Sequence, residues 1–223
     1  MKKIRFIGDV HGNIRNLQCL SDELINIQLG DLNLFGYDVW FDKTGTGYVK
    51  TPFEFEFPCW FVDGNHDNFA LKQLNPDSPS IVPIEKNLFY IPRGYVSGKT
   101  LFIGGADSID RNVRTFGVDW FQEEQFTSAQ INRIMDLKDE IEVVVSHDAP
   151  VSFVKHKLGT VYNLMSGKFL DAVFGLFKPS LWVFGHFHQY FNEEFNGCRF
   201  VGLGEKQSAD IEIPLGDDFG KDQ

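Results

Sequence analysis

Five short apolar runs in this 223-residue chain stop in the same way. Residues 4–7, 25–29, 59–62, 142–145 and 181–184 each give way to Gly, Ser or Asp-Gly, and an Asp, His or Asn follows at once. Apolar runs of four or five residues bounded by turn formers read as buried strands. Open α/β sheets bind ligands off the carboxyl ends of their strands. A chain that repeats this ending five times is constrained to a fold that gathers those ends at one place. The residues so gathered are Asp9 and His11, Asp31, Asn65 and His66, His147, and His186 and His188. They include five of the six histidines, and only His156 lies outside the set.

The rest of the pattern fills in an α/β chain. Ile14, Leu17, Leu20 and Leu24 predict an amphipathic helix from Asn13 to about Glu23. Trp40-Phe41 and the alternating Phe53 to Phe57 predict strands around Gly45-Thr46-Gly47. Leu88 to Ile91, Leu101 to Ile103 and Ile211 to Ile213 read as further strands, with Ser97-Gly98-Lys99 as a turn. Thr127 to Leu137 reads as a helix capped by Thr127 or Ser128, and Lys168 to Phe177 as one stopped by Pro179. Asn196-Gly197 predicts a hairpin between Tyr190–Phe195 and Arg199–Val201. The stretch from Gly94 to Thr100 is not a phosphate-binding loop, because its glycine spacing is one residue short and a strand follows it.

Composition narrows the class. Hydrophobic residues at 43% and charged residues at 23% describe a globular chain, read as a single domain over 1–223 with residues 216–223 as a fraying tail. Acids exceed bases by 31 to 21, so the net charge is −10 and no global basic footprint for nucleic acid exists. Cys19, Cys59 and Cys198 are odd in number and widely spaced, which excludes a disulfide framework or a zinc knuckle. The apolar run after Met1-Lys2-Lys3 is too short for a signal peptide, and no stretch approaches the ~20 apolar residues of a membrane span. A cytoplasmic protein is expected. The 23 Phe imply a large aromatic core, with Phe35, Phe41, Phe116 and Phe121 as residues that could line a substrate mouth.

Carboxylates, imidazoles and one amide oxygen suit borderline divalent ions such as Mn, Fe, Zn, Co or Ni. That many candidate ligands exceed what one transition metal takes, and suit two metals that share a carboxylate. Such a pair, ~3.5–4 Å apart, clamps a phosphoryl oxygen on each side. Two divalent ions against Asp9 and Asp31 leave about two positive charges, enough to attract a phosphate ester despite the charge of −10.

The ordered set Asp9-x-His11, Gly30-Asp31, Gly64-Asn65-His66-Asp67, Ser146-His147 and Gly185-His186-x-His188 resembles the calcineurin-like metallophosphoesterase superfamily. The segment Gly104-Gly105-Ala106-Asp107-Ser108-Ile109-Asp110-Arg111, with Arg114 and Trp120-Phe121, is similar to a subset of small prokaryotic and phage members. The resemblance implies an α/β/β/α four-layer sandwich of two mixed sheets flanked by helices, the metallo-dependent phosphatase fold. It implies that Asp9, His11 and His188 hold one metal, that Asn65, His147 and His186 hold a second, and that Asp31 bridges them. Mn comes first among the ions, with Fe, Zn, Ni or Co as alternatives. It further implies in-line attack by a bridging hydroxide, with His66 assisting the leaving group.

One departure stands out. In the phosphoprotein phosphatase branch an Asp and an Arg stand three and four residues after the bridging Asp, where this chain has Leu34 and Phe35. Arg111 and Arg114 are therefore the residues expected to contact phosphate, since a guanidinium matches phosphate oxygens with a two-pronged fork. Asp67 and Asp148 are expected to support the ligands from behind. His156, between two lysines, reads as a solvated residue or one on the pocket rim.

The expected function is a metal-dependent phosphatase or phosphodiesterase acting on a small phosphate ester, a nucleotide or a phosphoprotein. The alternatives are a nuclease of the same superfamily and a non-catalytic scaffold. A nuclease needs a basic strand-tracking groove, which the charge disfavours together with any long nucleic acid. A scaffold typically loses ligands, and here none is missing. A membrane partner is not expected.

Overall fold

The computed structural model describes residues 1–13, 17–33, 39–41, 47–49, 55–69, 74–117, 119–159 and 164–220. Its strands are β1 (Lys2–Ile7), β2 (Ile25–Gln28), β3 (Val39–Phe41), β4 (Gly47–Val49), β5 (Cys59–Phe61), β6 (Val82–Glu85), β7 (Leu88–Tyr90), β8 (Tyr95–Ser97), β9 (Thr100–Ile103), β10 (Val143–Ser146), β11 (Leu181–Phe184), β12 (Phe191–Phe195), β13 (Cys198–Gly202) and β14 (Ser208–Ile213). Its α-helices are α1 (Ser128–Met135), α2 (Val151–Leu158) and α3 (Met165–Phe177). Twelve strands form two mixed six-stranded sheets, in the orders β14-β1-β2-β5-β7-β6 and β12-β13-β11-β10-β9-β8.

The two sheets are built alike. Each has four parallel strands at its centre and one antiparallel strand at each edge. β5, β10 and β11 are apolar on both faces because both faces are covered. In β10, Val143 and Val145 face the layer between the sheets, where they meet Ile4, Phe6, Ile27 and Val183, while Val144 faces the opposite way. That outer side of the second sheet packs on α1, α2 and α3 through Ile134, Phe153, Phe169, Leu170 and Val173. Phe153 stacks on Phe200 with ring centres 4.1 Å apart, so most of the Phe excess lies in the core. The outer side of the first sheet is covered by Val10, Leu17, Leu32, Phe55, Phe69 and Leu74.

Local signals are realised where the backbone itself carries them. Asn196 and Gly197 both take left-handed φ, 49° and 80°, as a two-residue hairpin turn requires. Thr127 caps α1, with a reciprocal pair between it and Gln130. The segment Gly94 to Thr100 lies mostly in the β8–β9 hairpin. None of the three cysteines is in a disulfide. None of the helices among the described residues is long and apolar enough to cross a membrane.

Other expectations are corrected. Residues 20–24 are not helical, because Ser21 and Asn26 lock that stretch into a turn: Asn26 Oδ1 accepts from Ser21 N at 2.7 Å, and Ser21 Oγ accepts from Leu24 N at 3.0 Å. Residues 14–16 of the expected helix lie outside the described residues. Residues 55–57 are not a strand, residues 53 and 54 lie outside the described residues, and β3 pairs instead with β4. Val151–Leu158 is a helix that the apolar pattern did not show, although Pro150 precedes it and Gly159 ends it at φ 70°.

The tail is also docked rather than frayed as far as Gly220. Phe219 is 4% exposed, stacks on Phe102 at 5.8 Å and tilts against Trp60 at 5.5 Å, which closes one end of the layer between the sheets. Removing a buried Phe side chain costs about 3–5 kcal/mol. Phe219→Ala is expected to lower the unfolding free energy by about 3 kcal/mol, read from the urea midpoint. A loss below about 0.5 kcal/mol would mean that the tail does not close the core.

Candidate metal centre

The parallel direction of the central strands brings five carboxyl ends to one edge of the molecule. Asp9 follows β1, Asp31 follows β2, and Asn65 and His66 follow β5. From the second sheet, His147 follows β10, and His186 and His188 follow β11. Backbone bonds stitch the two sheets together here. His147 Nδ1 bonds to the Leu29 carbonyl at 2.7 Å, and His186 N donates to Asp9 Oδ1 at 3.1 Å.

Each buried carboxylate divides its two oxygens. Asp9 Oδ1 accepts the His186 N–H, while Oδ2 faces His188 Nε2 at 3.1 Å and His11 Nε2 at 3.7 Å. Asp31 Oδ1 accepts the His66 N–H at 2.8 Å, while Oδ2 lies 3.6 Å from His11 Nε2 and 3.4 Å from His147 Nε2. Three groups result in which one ligand atom from each residue lies within 4.8 Å of the others: Asp9 with His11 and His188, His11 with Asp31 and His66, and Asp31 with His147 and His186. Asn65 joins the last of these, with Oδ1 3.3 Å from His147 Nε2.

The local backbone is forced to reach this arrangement. His11, Asp31, His186 and His188 all sit at positive φ, between 47° and 68°. Left-handed backbone at a non-glycine residue costs on the order of 1 kcal/mol or more and collects at functional sites. The small residues that precede these side chains have a steric reason. A Cβ on Gly30 would run into the His147 ring, and one on Gly185 would meet Asp9. Asp67, expected as a support, accepts the N–H groups of Asp31, Asn33 and Gly64 and so ties the β2 turn to the β5 turn. Burial and the nearby Asp31 raise its carboxyl to about 7. Asp148 accepts from Ala149 N and from Ser166 Oγ, which joins the His147 turn to α3.

Charge in the cluster is strongly coupled. Burial opposes charge on His147, yet Asp31, by its charge and hydrogen bond, and then Asp9 lift the ring to about 10. The Asp9 carboxylate beside it raises His188, and Asp9 and Asp31 raise His11 against the effect of burial. Burial lowers His186, and burial with Arg114 and two histidines lowers His66 although Asp31 opposes them. The residues fit divalent ions. Asp9 Oδ2 is buried without a hydrogen-bond partner, and it lies beside two imidazole nitrogens only 2.9 Å apart. A borderline cation is the partner that suits a carboxylate oxygen and imidazole nitrogens turned toward one another.

A cleft of about 340 Å³ opens over these groups, lined by Asp31, Asn65, His66, Arg114, His186 and His188 among others. The structure separates the two arginines. Arg114, 10% exposed, is held by Asp110 at 2.7 Å and reaches His66 Nε2 at 3.0 Å and Nδ1 at 3.4 Å. Arg111 lies over the Trp120 ring at 5.3 Å and lines the neighbouring pocket with Lys168. Phe121 is buried on the first sheet, not at a mouth, whereas Phe116 is 67% exposed beside Trp120. Leu34, Phe35 and the Phe41 side chain lie outside the described residues. His156 is exposed on α2, its ring 4.9 Å from Phe195.

Sequence reasoning missed the support behind the cleft. Asp63 and Arg93 form a fully buried ion pair at 2.5 Å, and Tyr90 donates to Asp63 at 2.6 Å. Arg93 also donates to the carbonyls of Glu123, Glu124 and Gln125 and to Gln130 Oε1. Charged residues inside otherwise apolar stretches were the available signal, but the partners are ~30 residues apart and come together only in the fold.

Among solved structures, one from Staphylococcus aureus described as a candidate 5'-nucleotidase in complex with α-ketoglutarate is 15% identical, with a TM-score of 0.45. The match covers 92% of this chain and 48% of that one, so the chain spans about half its length. GAP50, described as the anchor in the inner membrane complex of Plasmodium, is 13% identical with a TM-score of 0.39, covering 92% of this chain and 73% of that one. No curated protein matches the chain. The family profile described as calcineurin-like phosphoesterase matches residues 2–190, a span that takes in all five strand-end blocks from Asp9 to His188. The chain belongs to the calcineurin-like phosphoesterase family.

Proposed function

We propose that this protein is a dimetal phosphoesterase that hydrolyses a small phosphate mono- or diester. The observation that carries the reading is the position of Asp31 Oδ2, 3.6 Å from His11 Nε2 on one side and 3.4 Å from His147 Nε2 on the other. That is where a carboxylate shared by two ions belongs. Asp9, His11 and His188 would hold the first ion, and Asn65, His147 and His186 the second. Bound ions of this kind polarise phosphoryl oxygens and make water a nucleophile near neutral pH. Mn is the first ion to test, ahead of Fe, Zn, Ni and Co.

The chain's own residues supply the remaining roles. Arg114 lines the cleft and presents its fork at His66. A phosphate dianion is a better partner for a guanidinium than a neutral imidazole. Substrate binding would therefore engage Arg114 and leave the His66 ring free to face the ester oxygen. His66 would protonate that oxygen as it leaves, a role worth typically 10²–10⁴-fold in rate. The nuclease alternative gains no support from the cleft, whose lining side chains among the described residues include one arginine and no lysine.

Two measurements test this reading. With Mn loaded, the protein is expected to hydrolyse an aryl phosphate. His66→Asn should lower kcat by about 10²-fold or more, and Arg114→Ala should mainly raise KM. Unchanged hydrolysis of both aryl monoester and aryl diester in His66→Asn would sink the assignment of His66. Metal uptake should also release protons, because Asp31 and Asp9 hold protons on His147, His11 and His188. Metal affinity is expected to rise with pH from about 6.5 up to about 10, where His147 gives up its proton, and titration calorimetry in buffers of different ionisation enthalpy should show the released protons. An affinity independent of pH would contradict ligation by these rings.

A further inference from the structure

The amide of Asn65 can face its ligand group with either oxygen or nitrogen, and only oxygen can bind a cation. Behind it runs a chain of buried polar groups. Asn65 Nδ2 lies 3.1 Å from Ser108 Oγ, and Ser108 Oγ lies 2.7 Å from Glu124 Oε2. The other oxygen, Glu124 Oε1, accepts from Ser108 N at 2.9 Å and from Trp120 Nε1 at 2.8 Å. Asn65, Ser108 and Glu124 are 3%, 6% and 0% exposed.

We infer that Glu124 and Ser108 are positioning residues that fix which way the Asn65 amide points. The direction follows from donors and acceptors alone. A carboxylate only accepts, so the single hydroxyl proton of Ser108 goes to Glu124. Ser108 Oγ is left with lone pairs, and only the NH₂ end of Asn65 can satisfy them. The amide oxygen is thereby turned toward His147, where Oδ1 lies at 3.3 Å. Glu124 is itself fixed by Arg93, which donates to its carbonyl at 3.1 Å while paired with Asp63, two residues before Asn65. Because Trp120 Nε1 shares Oε1 with Ser108 N, the same carboxylate pins both ends of the segment that carries Arg114.

This inference rests on the dimetal reading, and its test separates the two. A near-isosteric change makes the logic sharp. In Glu124→Gln, the oxygen must stay opposite Ser108 N and Trp120 Nε1, which are both donors. The new NH₂ group then meets Ser108 Oγ and takes its lone pairs, and the fixed direction is lost. In Ser108→Ala, the amide loses its partner outright. Outer partners of metal ligands are typically worth 10–100-fold in metal affinity.

The experiment titrates the full chain with Mn²⁺ by calorimetry, with thermal unfolding as the check on folding. Wild type should take up two ions. Ser108→Ala and Glu124→Gln should each weaken one of the two binding events by about tenfold or more. Trp120→Phe, which spares the Ser108–Glu124 pair, should bind within about twofold of wild type. The decisive arm places Ser108→Ala on an Asn65→Asp background. A carboxylate offers oxygen whichever way it turns, so there the serine should matter by less than about twofold.

Equal Mn²⁺ affinity in wild type and Ser108→Ala would overturn the inference, and so would an undiminished Ser108→Ala penalty in the Asn65→Asp background. If Glu124→Gln does not fold, the Ser108→Ala pair of measurements still decides. Wild type binding no Mn²⁺ would instead overturn the dimetal reading itself.

Discussion

Two carboxylates with almost no exposed surface set the terms for this structure. Asp9 and Asp31 are 0% and 1% exposed, and a buried carboxylate is costly unless it is hydrogen-bonded and its charge is met. Each solves half of the problem with a backbone N–H and half with imidazoles. For Asp9 both kinds of partner include groups from the opposite sheet, and for Asp31 the opposite sheet supplies His147. Neither sheet can satisfy its carboxylates alone, so the two sheets have to meet at this edge. Gly30 and Gly185 and the left-handed turns that follow them are the local means of bringing the sheets close enough.

Behind that edge, a second layer of buried charge keeps the geometry in place. Asp63 and Arg93 would be a liability as an isolated pair in the interior. Here the guanidinium donates to four further acceptors and lies between the Phe69 and Phe126 rings, 5.7 Å and 4.9 Å from their centres. The carboxylate takes Tyr90 as well. A satisfied network of this kind specifies one arrangement of the 121–127 segment against the end of β5, which an apolar cluster would specify less sharply.

What the sequence revealed and what it hid follow a physical divide. Strand ends, the Asn196-Gly197 hairpin and the Thr127 cap are set by residues a few positions apart, and all were legible. The gathering of these side chains at one edge was legible because they belong to a small set of residue types, and five of six histidines stood in those places. The expected helix near Leu17 and Leu20 failed for an instructive reason. Leu17 is buried on the first sheet and Leu20 packs against it, so the apolar spacing is real. Side-chain bonds at Ser21 and Asn26 outcompete the helical ones beyond it. β6 escaped notice because Pro83 argues against a strand, and it is tolerated only because β6 is an edge with a shifted register. Ser108 stands in the segment from Gly104 to Arg111 that drew notice, yet nothing in the sequence gave it or Glu124 a role. Their significance comes from packing between segments distant in sequence.

The pairing of β1 with β14 has a consequence for how the molecule assembles. Arg5 grips Asp210 across 205 positions, at 2.7 and 2.9 Å, and Lys2 Nζ reaches the Gly216 carbonyl at 2.6 Å. β1 thus waits for β14, far along the chain, before its outer side is paired. Contacts this remote make for slow folding, since loop entropy is lost before the contact is gained. Until β14 arrives, β1 offers an unpaired strand edge, the kind of surface on which partly folded chains stick to one another.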